Sequence, residues 1–141
     1  MASSISDYLG NLILLWLTGT DMPAALENTY LGLWEGPPLV TGGGNPGTEV
    51  TTDVRAGGRI AAPFDPPDLV TTNAITNLSD ANFGNAASDA VVTYVALHDA
   101  QVDGNVLAQC ALPVPSLINQ GQPVSFPLRS LKFTIGFRMT P

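Results

Sequence analysis

The sequence predicts a mainly β domain: an antiparallel two-layer sandwich with Greek-key or jelly-roll-like connections and one N-terminal α-helix. Three observations carry that expectation. Gly (14) and Pro (12) approach a fifth of the 141 residues, which favours short strands joined by many turns over a helical bundle. About eight short runs are apolar or alternate in the two-residue period of a strand. Only one segment, at the N-terminus, repeats its apolar residues at helical spacing.

That segment is expected to be a helix over about 4–18. Ser3 or Ser4 supplies a cap, Tyr8, Leu12, Leu15, Leu9, Ile13 and Trp16 supply the stripe, and Gly19 supplies the stop. The stripe is broad, so the helix is expected to pack on more than one surface. It either covers a side or end of the sheet or docks into a neighbouring subunit. The run Leu12–Leu17 lacks a basic flank and is too short to cross a bilayer, so neither a secretion signal nor a membrane span is expected.

Thr29–Trp34 reads as the first strand, rich in sheet-forming bulk. The Gly/Pro-rich stretch Gly36–Gly47 follows as a long loop without P-loop spacing, either a binding element or a mobile tip. Short strands are expected at Glu49–Val54, Ile60–Phe64 and Val70–Leu78, and a polar stretch over Ala81–Ser88. The clearest element is a hairpin. Ala90–His98 is nearly unbroken in apolar character, Asp103-Gly104 supplies turn chemistry, and Asn105–Leu112 returns until Pro113 and Pro115 end it. Gln122–Leu128 and Ser130–Phe137 close the chain, the latter setting Leu131, Phe133, Ile135 and Phe137 against Lys132, Thr134, Gly136 and Arg138. No repeat and no domain boundary interrupts 1–141, which is read as a single domain.

Composition narrows the function. Charged residues make up 12%, about half the usual ~25% for soluble domains, so much of the surface is expected to be covered by copies of the chain or by a partner. The net charge of −7 argues against nucleic-acid binding. The charge is also segregated. Twelve acids lie between Asp7 and Asp103 with only Arg55 and Arg59, leaving −10 there; Arg129, Lys132 and Arg138 give +3 beyond. A basic C-terminal strand that docks on an acidic surface is one consequence; simple solvated bases are the other.

The chemistry-bearing residues are few. One cysteine and one histidine exclude an intrachain disulfide and a Cys/His zinc site, and Cys110 in Val106–Leu112 reads as a buried small hydrophobe. His98-Asp99 is the one pair to weigh for catalysis, but strand neighbours point to opposite faces, so a strand-end role fits better. Asp65 and Asp68 could offer oxygens to Ca²⁺, yet no EF-hand pattern surrounds them. Asn77-Leu78-Ser79 matches a glycosylation acceptor that a chain without a signal peptide would not present. Tyr30, Trp34 and Trp16 could stack on a sugar, though core packing explains aromatics at these spacings better. No enzyme, cofactor or metal is expected.

A longer pattern runs through these elements. The leading helix with Leu9, Leu12, Leu15 and Trp16 precedes Leu17-Thr18-Gly19-Thr20 and Thr29-Tyr30-Leu31-Gly32-Leu33-Trp34. Gly47-Thr48-Glu49-Val50, Arg55, Thr71-Thr72-Asn73, Val95–Ala100, Gly104–Ala108 and Gly121–Ile135 follow. This order resembles a family of small phage virion proteins, described as tail-fibre-like or as head decoration (cement) proteins. It departs from their pattern at Tyr94–Leu97 and runs on over Gly136–Pro141. The resemblance covers nearly the whole chain and carries no catalytic residues. It implies a capsid decoration protein, expected as a homotrimer, that binds major capsid subunits on the outer shell. The alternative is a tail-fibre or baseplate component involved in host attachment. Either would be made in the host cytoplasm and carried in the virion, without nucleic acid or membrane as partner. The residues expected at its contacts are Tyr8, Leu12, Trp16, Arg129, Lys132, Arg138 and Met139.

Overall fold

A computed structural model describes residues 3–39, 44–51, 53–54, 58–65 and 74–134. Arg55, Asp68, Arg138, Met139, Gly42, Gly43 and the ends of the strands expected at 70–78 and 130–137 lie outside them. The described chain is mainly β, with antiparallel pairing throughout and one helix near the N-terminus.

The largest sheet is built on the expected hairpin. Strands β8 (Ala90–His98) and β9 (Val106–Ile118) pair from Ala90↔Ile118 to His98↔Val106. The turn between them places Asp103 at φ 56° and Gly104 at φ 70°, the left-handed conformations this dipeptide accepts most readily. Strand β2 (Tyr30–Glu35) lies on the other side of β8, with Leu33 opposite Val95. Beyond it, β3 (Thr48–Val50) and β4 (Ile60–Ala61) share the far edge of β2. At the opposite edge β1 (Ser3–Ile5), which the sequence reading did not foresee, pairs with Ala108–Cys110 of β9.

The second layer comes in two pieces. Strands β7 (Ala81–Asn85) and β10 (Pro123–Phe126) form one ladder, and β5 (Phe64–Asp65), β6 (Ala74–Asn77) and β11 (Lys132–Thr134) form the other. Both ladders send side chains (Phe83 and Val124 from the first, Phe133 from the second) into the same hydrophobic cluster as Leu31, Leu33, Val92, Val95 and Leu97 of the large sheet. Edge-to-face contacts of Phe64 with Phe133 and of Phe83 with Phe126 tighten each ladder.

Three expectations need correction. Pro113 and Pro115 do not end the return strand: pairing shifts register between Val92 and Tyr94, and β9 runs on to Ile118. The prolines sit where the ladder is interrupted, the place a strand tolerates a missing N–H. Ile60–Phe64 is not one strand. Pro63 has no N–H to give, Ala62 N donates to Thr29 O (2.9 Å), and the chain crosses from the large sheet (β4) to the small ladder (β5). Within the stretch Ala81–Ser88, expected only as polar, residues 81–85 form β7, whose inward Ala81 and Phe83 are buried while Asn82 and Gly84 face water.

Candidate assembly surface

The helix forms where the spacing predicts it, over Asp7–Leu17 (α1), but Ser6 rather than Ser3 or Ser4 caps it. Ser3 and Ser4 are engaged in β1, and the Ser6 hydroxyl accepts from Leu9 N at 3.1 Å. Asp7 in the first turn complements the positive end of the helix dipole. Thr18 and Gly19 end it. Gly19 takes φ 101°, Gly19 N donates to Trp16 O (3.1 Å) and Thr20 N to Leu15 O (2.9 Å), a Schellman closure that satisfies the last carbonyls.

What the helix does not do is cover the sheet: none of its residues is buried. From Leu14 to Asn28 every residue is exposed, and the chain rejoins the body only at Thr29, whose hydroxyl donates to Ala62 O (2.7 Å). In the last helical turn Leu14 is 59% exposed, Leu15 50%, Trp16 57% and Leu17 66%; Met22 (43%) and Leu26 (48%) continue the apolar surface beyond it. Four consecutive helical residues point in four directions, so this turn is apolar all round. A helix of that kind is ordinarily buried. Periodicity could reveal that the helix was apolar, but not that its own body leaves it uncovered.

Of the other residues expected at contacts, Tyr8 is 40% exposed at the root of α1 and Leu12 is half-buried. Arg129 and Lys132 are exposed. They lie at the turn into β11 and on β11 itself, away from the helix tip in sequence and in ladder. Arg129 takes φ 61° and stands 3.8 Å from Asp65, a long, solvent-exposed ion pair. Arg138 and Met139 lie outside the described residues. The loop 36–47 is tied down at both of its described ends. Gly36 N donates to Thr93 Oγ1 (2.7 Å), Gly47 N to Pro37 O (2.8 Å), and Leu39 N to Gln109 Oε1 (2.8 Å).

His98 and Cys110 are buried, and His98 lies beside an arginine that is buried as well. Arg59, 8% exposed, grips Glu49 with Nε (2.8 Å) and Nη2 (2.9 Å) and donates from Nη1 to Ala100 O (2.8 Å) and Asp103 O (2.7 Å). It thereby holds the β8–β9 turn against β3. Next to it, fully buried His98 accepts at Nε2 from Trp34 Nε1 (3.3 Å), the two rings nearly parallel at 14°. Desolvation by burial, then the Arg59 charge, lowers the His98 pKa to about 4, so its ring is neutral near pH 7. A Cβ on Gly32 would stand 2.7 Å from His98 Nε2, which is why a strand that otherwise wants bulk carries glycine there. Asp99 caps the turn, accepting from Asn105 N (2.7 Å) and Asn105 Nδ2 (3.0 Å). Cys110 is fully buried, and desolvation pushes its thiol pKa up.

Two of these roles escaped the sequence reading. Arg59 counted only as a charge; its signal was an arginine inside a chain poor in bases, with Glu49 ten residues before it. Asn77 was read only as a glycosylation motif. It is fully buried: Nδ2 donates to Ser79 O (2.7 Å) and Pro127 O (2.9 Å), Oδ1 accepts from Leu131 N (3.0 Å), and its backbone O accepts from Arg129 N (3.1 Å). That amide stitches β6 to the 127–131 turn, whose Leu128 and Arg129 are exposed.

Among the described residues, no group of three His, Cys, Asp or Glu side chains is placed to hold a metal ion, and no helix is long and apolar enough to cross a membrane. Fold and surface define a class: a small antiparallel β protein that carries an uncovered apolar helical arm and commits its buried polar groups to its own architecture. The chain belongs to the phage family described as Podophage GP4 fiber I protein gp80, whose model matches residues 4–134. It is thus a tail-fibre-like virion protein. No curated protein matches it.

Proposed function

We propose that this protein is a non-catalytic structural subunit of a phage tail fibre, working without cofactor and assembled from several copies, a homotrimer being the simplest case. Family membership over 131 of the 141 residues, 4–134, is the observation that carries this reading. The family description favours the tail over the head shell, and so favours a fibre subunit over a decoration protein clamped to the major capsid protein. The arrangement of polar groups supports a structural role: His98, Arg59 and Asn77 spend their hydrogen bonds on turns and ladders. Host-surface contact would then fall to exposed loops or to a fibre partner.

Gold-labelled antibody on intact virions, or cryo-EM of them, tests the proposal. Label on the tail supports it, and label spread over the head shell replaces it with the decoration role. A second readout separates the two independently. Particles lacking the protein should adsorb poorly to host cells while their heads resist heat as before. Heads that burst at lower temperature, with adsorption intact, would argue for the shell.

A further inference from the structure

We infer that the helical arms of three copies of this chain pack against one another around a common axis, so that each arm is covered by the same arm of its neighbours. The inference deepens the several-copy part of the fibre role proposed above and rests on it. The arm runs from the last turn of α1 through Leu26, with Leu14, Leu15, Trp16, Leu17, Met22 and Leu26 exposed.

Area selects the occupant. At roughly 200 Å² for a large apolar side chain, the exposed parts of these six amount to about 600 Å². Two such surfaces offer about 1,200 Å², above the ~1,000 Å² that a specific interface needs. Among the described residues, no other region exposes as many large apolar side chains. Val102 stands in the β8–β9 turn, Val114 and Leu117 lie on β9, Leu78 follows β6 and Leu128 precedes β11. Only another arm matches an arm in extent.

Composition lets like meet like. No residue from Tyr8 to Thr20 is charged, and Asp21 is the single charge between there and Leu26. Identical arms can therefore close on one another without setting like charges face to face across the contact. Interfaces this apolar belong to permanent assemblies, most often of identical chains. A lipid surface is a poorer occupant. Helices that lie on membranes are rich in Lys and Arg on a polar face, whereas α1 has neither residue and its last turn has no polar face.

Geometry sets the number. Leu14 to Leu17 are successive helical residues, about 100° apart, so together they point to every side of the helix. One neighbouring helix covers one side. In a ring of three, each arm has two neighbours, and three is the smallest closed number that gives every arm two.

Sedimentation equilibrium of the full chain tests the packing. The wild type should form trimers that hold or tighten as salt rises, because the contact is apolar while bodies of net charge −7 repel one another. Trp16→Asp would set three carboxylates around one axis. It should raise the concentration needed for half-assembly by about 30-fold or more. Circular dichroism of the dilute variant should match the wild type, since Trp16 is not buried in the body. Leu17→Cys, oxidised with copper phenanthroline, should give dimers covalently joined at that position; Cys110 is buried and does not compete. A wild type that stays monomeric at about 100 µM overturns the inference together with the several-copy part of the fibre role. Trimers that survive Trp16→Asp unchanged, or that loosen as salt rises, overturn the arm contact and leave the several-copy reading standing. Flotation of the wild type with phosphatidylcholine vesicles, abolished by Trp16→Asp, gives the arm to a lipid surface instead.

Discussion

The arm and the hairpin end of the large sheet invert each other's chemistry. At the hairpin end, an arginine and a glutamate are withdrawn from water and bound to one another and to backbone carbonyls, and a buried histidine accepts from the Trp34 indole. On the arm, leucines and a tryptophan are left in water with nothing over them. The first arrangement is costly unless every polar group finds a partner, and here the guanidinium does. The second leaves apolar surface in water, which is costly in itself. One region buries its polar groups almost fully satisfied within a single chain, His98 Nδ1 alone going without a partner among the described residues, and the other leaves its apolar groups uncovered. The difference separates the part of the sequence that answers to folding of the body from the part that the body does not use.

Three changes sharpen that contrast, in descending order of effect. Replacing Arg59 with Met should destabilise the body by about 3–5 kcal/mol, since Glu49 and two turn carbonyls lose their donor together. Urea unfolding measures the loss; a change below about 1 kcal/mol would mean that the pair contributes little to the body. His98 comes next. Its pKa falls from 6.5 to about 4 on folding, so the unfolded chain binds the extra proton first as the pH drops. Stability from the neutral ring is complete above pH 6.5, declines as the pH falls, and levels off below about 4, a loss of about 3 kcal/mol. Comparing unfolding midpoints of wild type and His98→Gln across that window isolates this contribution from the carboxylates; parallel curves would remove it. Ser6→Ala is the smallest. Losing the cap costs α1 about 1 kcal/mol, yet none of the helix is buried in the body. Amide exchange should therefore quicken over residues 8–10 while the urea midpoint of the dilute chain hardly moves. A matching drop in the midpoint would mean that the arm is part of the body after all.

The sequence was most informative where local chemistry and final environment agree. The run Ala90–His98 could only be a buried strand, and Asp103-Gly104 could only be a turn, because backbone preference and burial point the same way there. Alternation also placed Leu131 and Phe133 inward and Lys132 outward correctly. Strand β7 was missed because Asn82, Gly84 and Asn85 dominate its composition, although Ala81 and Phe83 keep the two-residue period. Pro113 and Pro115 misled because a proline announces a lost hydrogen bond without saying whether the strand resumes. At the proposed surface, Tyr8, Leu12 and Trp16 were legible as an apolar stripe, but the choice between core and partner was not, since periodicity describes one element and burial describes two.

Both roots of the arm enter the same sheet. Strand β1 is laced along β9 through Ser3–Ile5, and the chain returns at Tyr30 directly into β2, itself paired with β8. A pull on the helix would load these ladders lengthwise, where several hydrogen bonds share the strain, and would bypass the two small ladders behind them. Under the proposed fibre role, tension entering through the arm would pass along the most extensively paired part of the subunit.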